Sequence, residues 1–286
     1  MPYTAFDFGS SAPNDGEMVE SAFRKQDAMN AELYSLAGSA DRMSWSAFPA
    51  GSSTALVFTG ANGVTNNATY VSRDLATELK KRSAYYFGSS SDTATTASSS
   101  LRGSTFAGYR GSEAGRGGFT VRYQFGFDRY NAGHRFFAGL AGAAQSPPPV
   151  AIDAGSDPSS ASNIFGFGKD AGDSDMSIIT TASNGTVLKT PLTGITTAAL
   201  TIYDVILSCP MGVDQALHYE VRTVTGVTAT GQDTYGATVW SGDIPATAAM
   251  PATNLNLWLQ LAMGVANSGA TARFGIVALT GRNLSR

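Results

Sequence analysis

Large apolar residues alternate with small or polar residues in short stretches over the last two-thirds of the chain. In residues 119–128 the large side chains hold every odd position, and in residues 255–261 leucine does so. A period of two over such a length is typical of a strand that buries one face and leaves the other open. The pattern therefore predicts β-structure for this part of the molecule.

Eleven stretches of this kind follow one another from residue 103 onward, separated by turns rich in Gly, Pro, Ser and Asn. The predicted strands are 104–109, 118–128, 134–140, 163–168, 176–182, 186–190, 198–207, 216–224, 235–240, 255–264 and 272–280. Asn184-Gly185 predicts a hairpin, because both residues tolerate positive φ. Many short strands without a solenoid-length repeat favour a mainly β fold, an antiparallel two-sheet jelly-roll-like sandwich.

The first residues follow a different pattern, an extended arm over 1–15 and then a helix over about 16–37. Asn14 or Asp15 can cap this helix. Its apolar residues recur every three or four positions around a single polar member, in a seam formed by Val19, Ala22, Gln26, Met29, Leu33 and Leu36. Such a seam predicts oligomerisation, and the alternative is an amphipathic helix that lies on its own domain.

These patterns divide the chain into three predicted regions. Residues 1–67 form the arm, the helix and an anchoring and oligomerisation region, and residues 68–102 form a connecting segment. Residues 103–286 form the β-sandwich head. Within the connecting segment, 75–82 fits either a helical turn or a strand, and the polar, low-complexity run 89–100 is typical of a loop or linker.

Charge and cysteine content exclude several classes of protein. Lys and Arg number 19 against 22 Asp and Glu, for a net charge of −3, and no basic run occurs, so we expect no nucleic-acid partner. Cys209 is the single cysteine and is predicted to be a small buried side chain. The N-terminus lacks the pattern of a signal peptide, and no apolar stretch is long enough to predict membrane insertion.

Several glycine- and aromatic-rich stretches carry a resemblance to a known family. Residues 117–119, 122–126, 135–140 and 163–173 resemble a module of tail-fibre and other minor structural proteins of tailed bacteriophages. The family's next two strands match 202–207 and 218–221, and its basic and aromatic lead-in matches Arg73, Leu75, Lys81, Arg82, Tyr85 and Tyr86. The resemblance covers roughly residues 68–280, whereas 281–286 departs from the acidic final strand usual in the family.

The resemblance implies a lectin-like β-sandwich head on a virion appendage, assembled as a homotrimer and anchored by its N-terminal part to other virion proteins. It also implies synthesis in the cytoplasm of a bacterial host and localisation in the virion, on a tail appendage rather than the capsid surface. The expected function is that of a trimeric tail fibre or receptor-binding protein that contacts a host-surface glycan. The alternative is a capsid decoration or head-fibre protein without a receptor role.

The ionisable residues show no catalytic pattern. Carboxylates that a glycan hydrolase could use are Asp128, Asp153, Asp157, Asp204, Glu220 and Asp243, yet the sequence identifies no facing pair among them. Asp204 and Glu220 are expected to form structural ion pairs with Arg122 or Arg222. His218 is expected to share a polar strand face, either outer or intersubunit, with Glu220 and Arg222. The cluster Asp170, Asp173 and Asp175 fits a solvated turn better than a calcium site. We therefore predict no enzyme activity, no metal and no cofactor.

Two tryptophans are the better candidates for contacts with a partner. Trp258 lies opposite the leucines of 255–261, beside Asn256 and Gln260, and is predicted to contribute to the subunit interface. Trp240 shares a face with Thr238 and is the ligand-binding candidate, because a flat ring beside hydroxyl groups can stack on a sugar.

Overall fold

The computed structural model describes residues 44–47, 49–50, 57–58, 68–70, 79, 82, 85–89, 98–114, 116–129, 133–142, 156–195, 201–212, 216–246, 248–265 and 272–284. The chain divides into two compact units, Met1–Arg42 and Met43–Arg286, and all described residues belong to the second. The helix predicted over 16–37, with its seam from Val19 to Leu36, lies outside them, and so does the predicted oligomerisation contact of that seam.

Strands make up nearly all the regular structure of the described residues. They are β1 (Ser44–Ala47), β2 (Pro49–Ala50), β3 (Val57–Phe58), β4 (Ala68–Tyr70), β5 (Tyr85–Ser89), β6 (Ser98–Gly108), β7 (Phe119–Arg129), β8 (His134–Gly142), β9 (Ile164–Lys169), β10 (Ser177–Thr181), β11 (Val187–Pro191), β12 (Ile202–Cys209), β13 (Leu217–Val227), β14 (Asp233–Ile244), β15 (Leu257–Val265) and β16 (Ala272–Asn283). A single 3₁₀ turn, Pro158–Ser160, precedes β9. No helix among the described residues is long and apolar enough to cross a bilayer.

Two antiparallel sheets form a sandwich. The eight-stranded sheet has the order β14-β13-β12-β7-β16-β5-β4, and β1 pairs with the last part of β16. The six-stranded sheet has the order β11-β10-β9-β8-β15-β6, and β2 and β3 form a small separate ribbon. The predicted mainly β, two-sheet sandwich is confirmed.

The core lies between the two sheets and is built from the alternating residues of the sequence pattern. Phe119, Val121, Tyr123, Phe125 and Phe127 of β7 are fully buried, and so are the leucines of β15 at positions 257, 259 and 261. Each such side chain contributes about 1.5–3 kcal/mol when it leaves water. The Phe125 and Phe136 rings, one from each sheet, have centroids 4.9 Å apart.

Glycines of the six-stranded sheet let an aromatic ring lie flat on its outer face. A Cβ atom at Gly166 would approach the Phe137 ring to 2.5 Å and the Ala138 carbonyl oxygen to 2.8 Å. Phe137 belongs to a second, smaller cluster with Ala141, Ile164, Ile179 and Ala262 on this outer face. A side chain at this position would therefore disturb the packing of the ring.

The segment 156–163 crosses the outer face of the six-stranded sheet and is tied to it at both ends. Near its beginning, Asp157 accepts a hydrogen bond from Arg135 Nε at 2.7 Å. Near its end, the Ala161 carbonyl accepts a hydrogen bond from Thr181 Oγ1 at 2.6 Å, and Ala161 packs against the smaller cluster. The segment therefore covers part of this outer face.

All eleven predicted strands are present, and short strands from outside the predicted head join them in the eight-stranded sheet. Strands β1, β4 and β5, which the prediction assigned to the N-terminal and connecting regions, pair within the eight-stranded sheet. Strand β6 begins at Ser98, inside the run expected to be a loop or linker. The reason is that short strands gain their stability from neighbours that are distant in sequence, here β16 and β15.

The β10–β11 hairpin forms as predicted, with a different turn. Gly185 has φ of +81°, whereas Asn184 is not among the residues with positive φ. The Asn184 side chain instead accepts a hydrogen bond from the Thr186 backbone N–H at 3.0 Å, and Ala182 N–H donates to the Thr186 carbonyl at 2.9 Å. One residue with positive φ is therefore sufficient to reverse the chain here.

Candidate functional site

The outer face of the eight-stranded sheet carries the residues that alternate with the core residues. On β7 these include Arg122 and Gln124, because Val121, Tyr123 and Phe125 point into the core. On β12 they include Asp204, Ile206 and Ser208, because Tyr203, Val205, Leu207 and Cys209 point inward. The outer side chains are thus mostly polar over several adjacent strands.

One end of this outer face is capped. Leu79 is fully buried there and packs with Ile202 and Val224. Arg82 follows three residues later in the sequence, and its guanidinium donates to Asp233 Oδ1 at 2.6 Å and to the Gly226 carbonyl at 3.1 Å. This cap buries Ile202 and Val224 on the outer face.

The other end is open, and strand register arranges its side chains in rows across the sheet. One row joins Arg282, Thr120, Ser208, His218 and Asp243. The next row joins Thr280, Arg122, Ile206, Glu220 and Ser241. We call these ten residues the open polar face.

An ion-pair network lies where the capped end meets the open polar face. Arg122 donates from Nε to Asp204 Oδ1 at 2.6 Å and from Nη2 to Asp204 Oδ2 at 2.7 Å. This hydrogen bonding to Asp204 is the largest of the effects that raise the pKa of Arg122. The expectation that Asp204 forms a structural ion pair is confirmed.

Asp233 joins β14 to the same network. Its Oδ2 accepts a hydrogen bond from Gln124 Nε2 at 2.7 Å, and its Oδ1 accepts one from Arg82. Burial raises the pKa of Asp233, but the hydrogen bonds from Gln124 and Arg82 and the charges of Arg82 and Arg122 outweigh burial and leave the pKa below its usual value. Asp233 therefore fixes the position of β14 beside the open polar face.

Tyr235 places an aromatic ring at the border of the open polar face. Its hydroxyl donates to Asp204 Oδ2 at 3.0 Å and accepts from Arg122 Nη2 at 3.0 Å. Burial and the neighbouring Asp204 carboxylate raise the pKa of the hydroxyl, which keeps it protonated as a donor. The Arg222 guanidinium lies 5.2 Å from the ring centroid, and the residue remains 36% exposed.

A shallow depression of about 350 Å³ lies within the open polar face. Its lining consists of Ile206, Ser208, His218, Tyr219, Glu220, Ser241, Gly242 and Asp243. The His218 Nδ1 atom contacts an Asp243 carboxylate oxygen, and Glu220 pairs with Arg222 at 2.7 Å. The predicted polar strand face of His218, Glu220 and Arg222 is confirmed.

This arrangement can bind a polar, uncharged surface through several directed hydrogen bonds. Hydroxyl groups of Ser208 and Ser241 can donate and accept, and the paired carboxylates of Asp243 and Glu220 still have acceptor positions free of their ion pairs. A ring such as that of Tyr235 offers a flat apolar contact. Sugars present both kinds of surface, namely hydroxyl groups around the ring edge and C–H groups on its faces.

The two tryptophans lie outside this constellation. Trp240 points to the side of β14 opposite Tyr235, is half-buried against the core, and donates from Nε1 to the Thr193 carbonyl at 3.0 Å. Trp258 lies on the outer face of the six-stranded sheet, and its buried Nε1 has no hydrogen-bond partner among the described residues. The ligand-binding role of Trp240 and the interface role of Trp258 stay predictions.

Two of the three aspartates that follow β9, Asp170 and Asp173, form ion pairs with Lys189 of β11. Asp170 accepts a hydrogen bond from the Ser159 backbone N–H at 3.0 Å and pairs with Lys189, which also contacts Asp173 at 2.8 Å. Asp175 instead accepts a hydrogen bond from Ser174. In the part of the chain that the structure describes, no three His, Cys, Asp or Glu side chains are grouped to hold a metal ion.

Sequence reasoning missed Ser208, Ser241 and Tyr235 as site residues. The β13 pattern His218-x-Glu220-x-Arg222 pointed to a polar outer face but not to its neighbours. Because β12 and β14 flank β13 in antiparallel register, Ser208 lies opposite His218 and Ser241 lies opposite Glu220. Alternation along β14 predicts that Tyr235, Ser241 and Asp243 lie on one face of that strand. It does not predict that β14 lies next to β13.

Comparison with solved structures shows the fold class. Peanut lectin superposes with a TM-score of 0.50 at 12% identity, over 85% of this chain and 98% of that one. Lectin II from Ulex europaeus gives a TM-score of 0.48 at 13% identity, over 85% and 99%, and a β-1,3-glucanase from Mycobacterium marinum gives 0.40 at 11%, over 85% and 91%. No protein-family model and no curated protein sequence matches the chain. At such identities the likeness to peanut lectin shows a lectin-like jelly-roll fold and nothing about the ligand.

Proposed function

We propose that the chain is a glycan-binding protein and that the open polar face is its binding surface. The observation that carries the proposal is that one sheet face combines a depression, a set of hydroxyl and carboxylate groups and an exposed tyrosine ring. The lectin-like fold is consistent with this use of the molecule, although the open polar face is defined here by its own residues.

The setting that we propose is the virion of a tailed bacteriophage, with the chain as a trimeric tail fibre or receptor-binding protein that contacts host-surface glycan. This part rests on the resemblance of residues 68–280 to that family. A homotrimer formed through the seam of 19–36 would present three open polar faces. Several weak contacts would then give a strong attachment, since linked sites bind with a high effective concentration.

Binding is tested with an array of immobilised bacterial surface glycans and the full-length chain. The blocking variant is Ser241→Tyr, because Ser241 is exposed, lines the depression and lies on a strand that accepts an aromatic residue. Its matched control is Thr238→Tyr, an exposed position on the opposite side of the same strand. We expect wild type and Thr238→Tyr to bind the same glycans and Ser241→Tyr to lose them.

Equal binding by all three proteins would show that the binding site lies outside the open polar face. If the wild type binds no glycan, the proposed function is refuted. The virion setting has its own test, which is antibody labelling of intact particles. Label on tail appendages is the expected result. Label around the head with a bare tail would favour the capsid decoration protein that the sequence left as the alternative.

A further inference from the structure

Arg282 adds to the open polar face a cation whose Nε is buried and has no partner among the described residues. It lies outward on β16, because Leu279 belongs to the core and Arg282 pairs with outward Thr120 of β7. The side chain is half-buried, and its Nε atom, although buried, makes no hydrogen bond within the described chain. Because Nε itself has no exposed surface, a ligand on this face would meet the terminal nitrogen atoms of the half-buried guanidinium.

The other charges on and beside this face are already paired. Arg122 and Arg82 are held by Asp204 and Asp233, as described above. Arg222 pairs with Glu220 on its own strand, and His218 contacts Asp243 on the next. The Arg222 Nε atom lies 2.7 Å from Glu220 but, like Arg282 Nε, is buried without a hydrogen-bond partner. Arg282 differs from the other described cations of this surface in that no ion pair joins it to a described carboxylate.

The row of residues that contains Arg282 carries different charges at its two ends. It runs from β16 through β7, β12 and β13 to β14, and four steps at the usual strand spacing make about 19 Å. Arg282 stands near one end, with Ser44 of β1 beyond it, and Asp243, with a side chain 67% exposed, stands at the other. Between them lie the hydroxyl groups of Thr120 and Ser208. The row has room for several linked sugar rings, and its two ends differ in charge.

We propose that the open polar face binds an acidic oligosaccharide that crosses the strands along this row. An anionic group of one sugar, a carboxylate or a phosphate, accepts hydrogen bonds from Arg282. Uncharged rings follow over Thr120 and Ser208 towards His218. An anionic group at the opposite end would meet Asp243 and be repelled, so the charge fixes the direction in which the chain lies.

Guanidinium groups suit this role because their planar array of donors matches the oxygens of a carboxylate or phosphate. The inference rests on the proposed function, since it names the ligand class of the same surface. It adds a claim that the proposed function does not make, namely that affinity depends on an acidic group and on Arg282.

The test is a titration of the full-length chain with three probes: an oligogalacturonate, its carboxyl-reduced neutral counterpart of equal length, and a phosphate-bearing oligosaccharide. The proteins are wild type, Arg282→Gln, Arg282→Lys and the charge-loss control Arg116→Gln, which changes an exposed loop residue outside the open polar face. Thermal unfolding of each variant checks that its fold is intact.

We expect the wild type to bind at least one of the two acidic probes, and the probe that binds identifies carboxylate or phosphate as the preferred group. Arg282→Gln should weaken that binding about tenfold or more, the usual effect of losing a charge-assisted hydrogen bond. Arg282→Lys should retain part of the affinity, Arg116→Gln all of it, and added salt should weaken the wild type.

Tighter or equal binding of the neutral probe, or full affinity in Arg282→Gln, would overturn the acidic-ligand proposal while leaving glycan binding intact. Binding of neither acidic probe would also overturn it. The proposed function fails on a different result, which is the absence of any glycan binding or its indifference to Ser241→Tyr.

Discussion

Arg122 and Asp204 lie side by side on β7 and β12 and form a two-pronged ion pair, with N–O distances of 2.6 and 2.7 Å. Asp204 is almost completely buried, whereas the Arg122 side chain is 37% exposed. The pair therefore stands at the boundary between the sandwich and solvent. It positions Tyr235 and, through the shared network, Asp233 beside the open polar face.

Replacing Asp204 by Asn should destabilise the sandwich by about 2 kcal/mol, because a buried carboxylate that accepts several charged or polar donors is lost. Chemical denaturation followed by fluorescence measures this as a lower urea midpoint. The matched control is Glu220→Gln, which removes a half-exposed pair and should change the unfolding free energy by less than about 1 kcal/mol. Equal effects of the two variants would show that the network around Asp204 contributes no special stability.

Stability should decrease in acid, in part because of Asp233. Its pKa in the folded protein is below the usual value of 3.8, so the unfolded chain binds a proton more readily than the folded one. The contribution of Asp233 is thus complete above about pH 5 and is lost as the pH falls through its folded-state pKa.

Unfolding free energies measured between pH 7 and pH 3 test this assignment. Asp233→Asn should be less stable than wild type at pH 7 and should lose less stability on acidification. Parallel curves for the two proteins would mean that other carboxylates account for the acid sensitivity.

Gly166→Ala should destabilise the protein by about 2 kcal/mol or more, because the new methyl group would overlap the buried Phe137 ring and the Ala138 carbonyl. Gly172→Ala is the matched control, since a Cβ there meets no atom within 4 Å. Thermal unfolding of both variants gives the comparison. A wild-type melting temperature for Gly166→Ala would show that the outer face of the six-stranded sheet is not tightly packed.

Tyr235 should contribute to glycan affinity through its ring more than through its hydroxyl. Tyr235→Phe keeps the flat surface and should retain most binding, whereas Tyr235→Ala should weaken it several-fold, as for other aromatic stacking contacts. Titration with a glycan selected on the array measures both. Unchanged affinity in Tyr235→Ala, with the fold intact, would remove the ring from the binding surface.

The long strands could be predicted from the sequence because each carries its own period-two pattern. Strands β1, β4 and β5 are three to five residues long and show no such pattern, so only their pairing with distant partners reveals them. The sequence predicted that Asp204 and Glu220 form ion pairs with arginines, since arginines alternate with apolar residues on nearby strands. It did not predict which arginine pairs with which carboxylate. The rows of the open polar face could not be predicted from the sequence, because they depend on strand order and register, which distant contacts determine.

The most direct test of the account is residue-resolved hydrogen exchange, with and without a saturating glycan selected on the array. Strand β14 is the outermost strand of its sheet, and its unpaired amides should exchange quickly in the free protein. We predict that the glycan slows exchange in β12, β13 and β14 around Ser208, His218 and Ser241 and leaves the six-stranded sheet unchanged. Protection confined to the six-stranded sheet, or to the side of β14 that carries Trp240, would contradict the assignment of the open polar face as the binding surface.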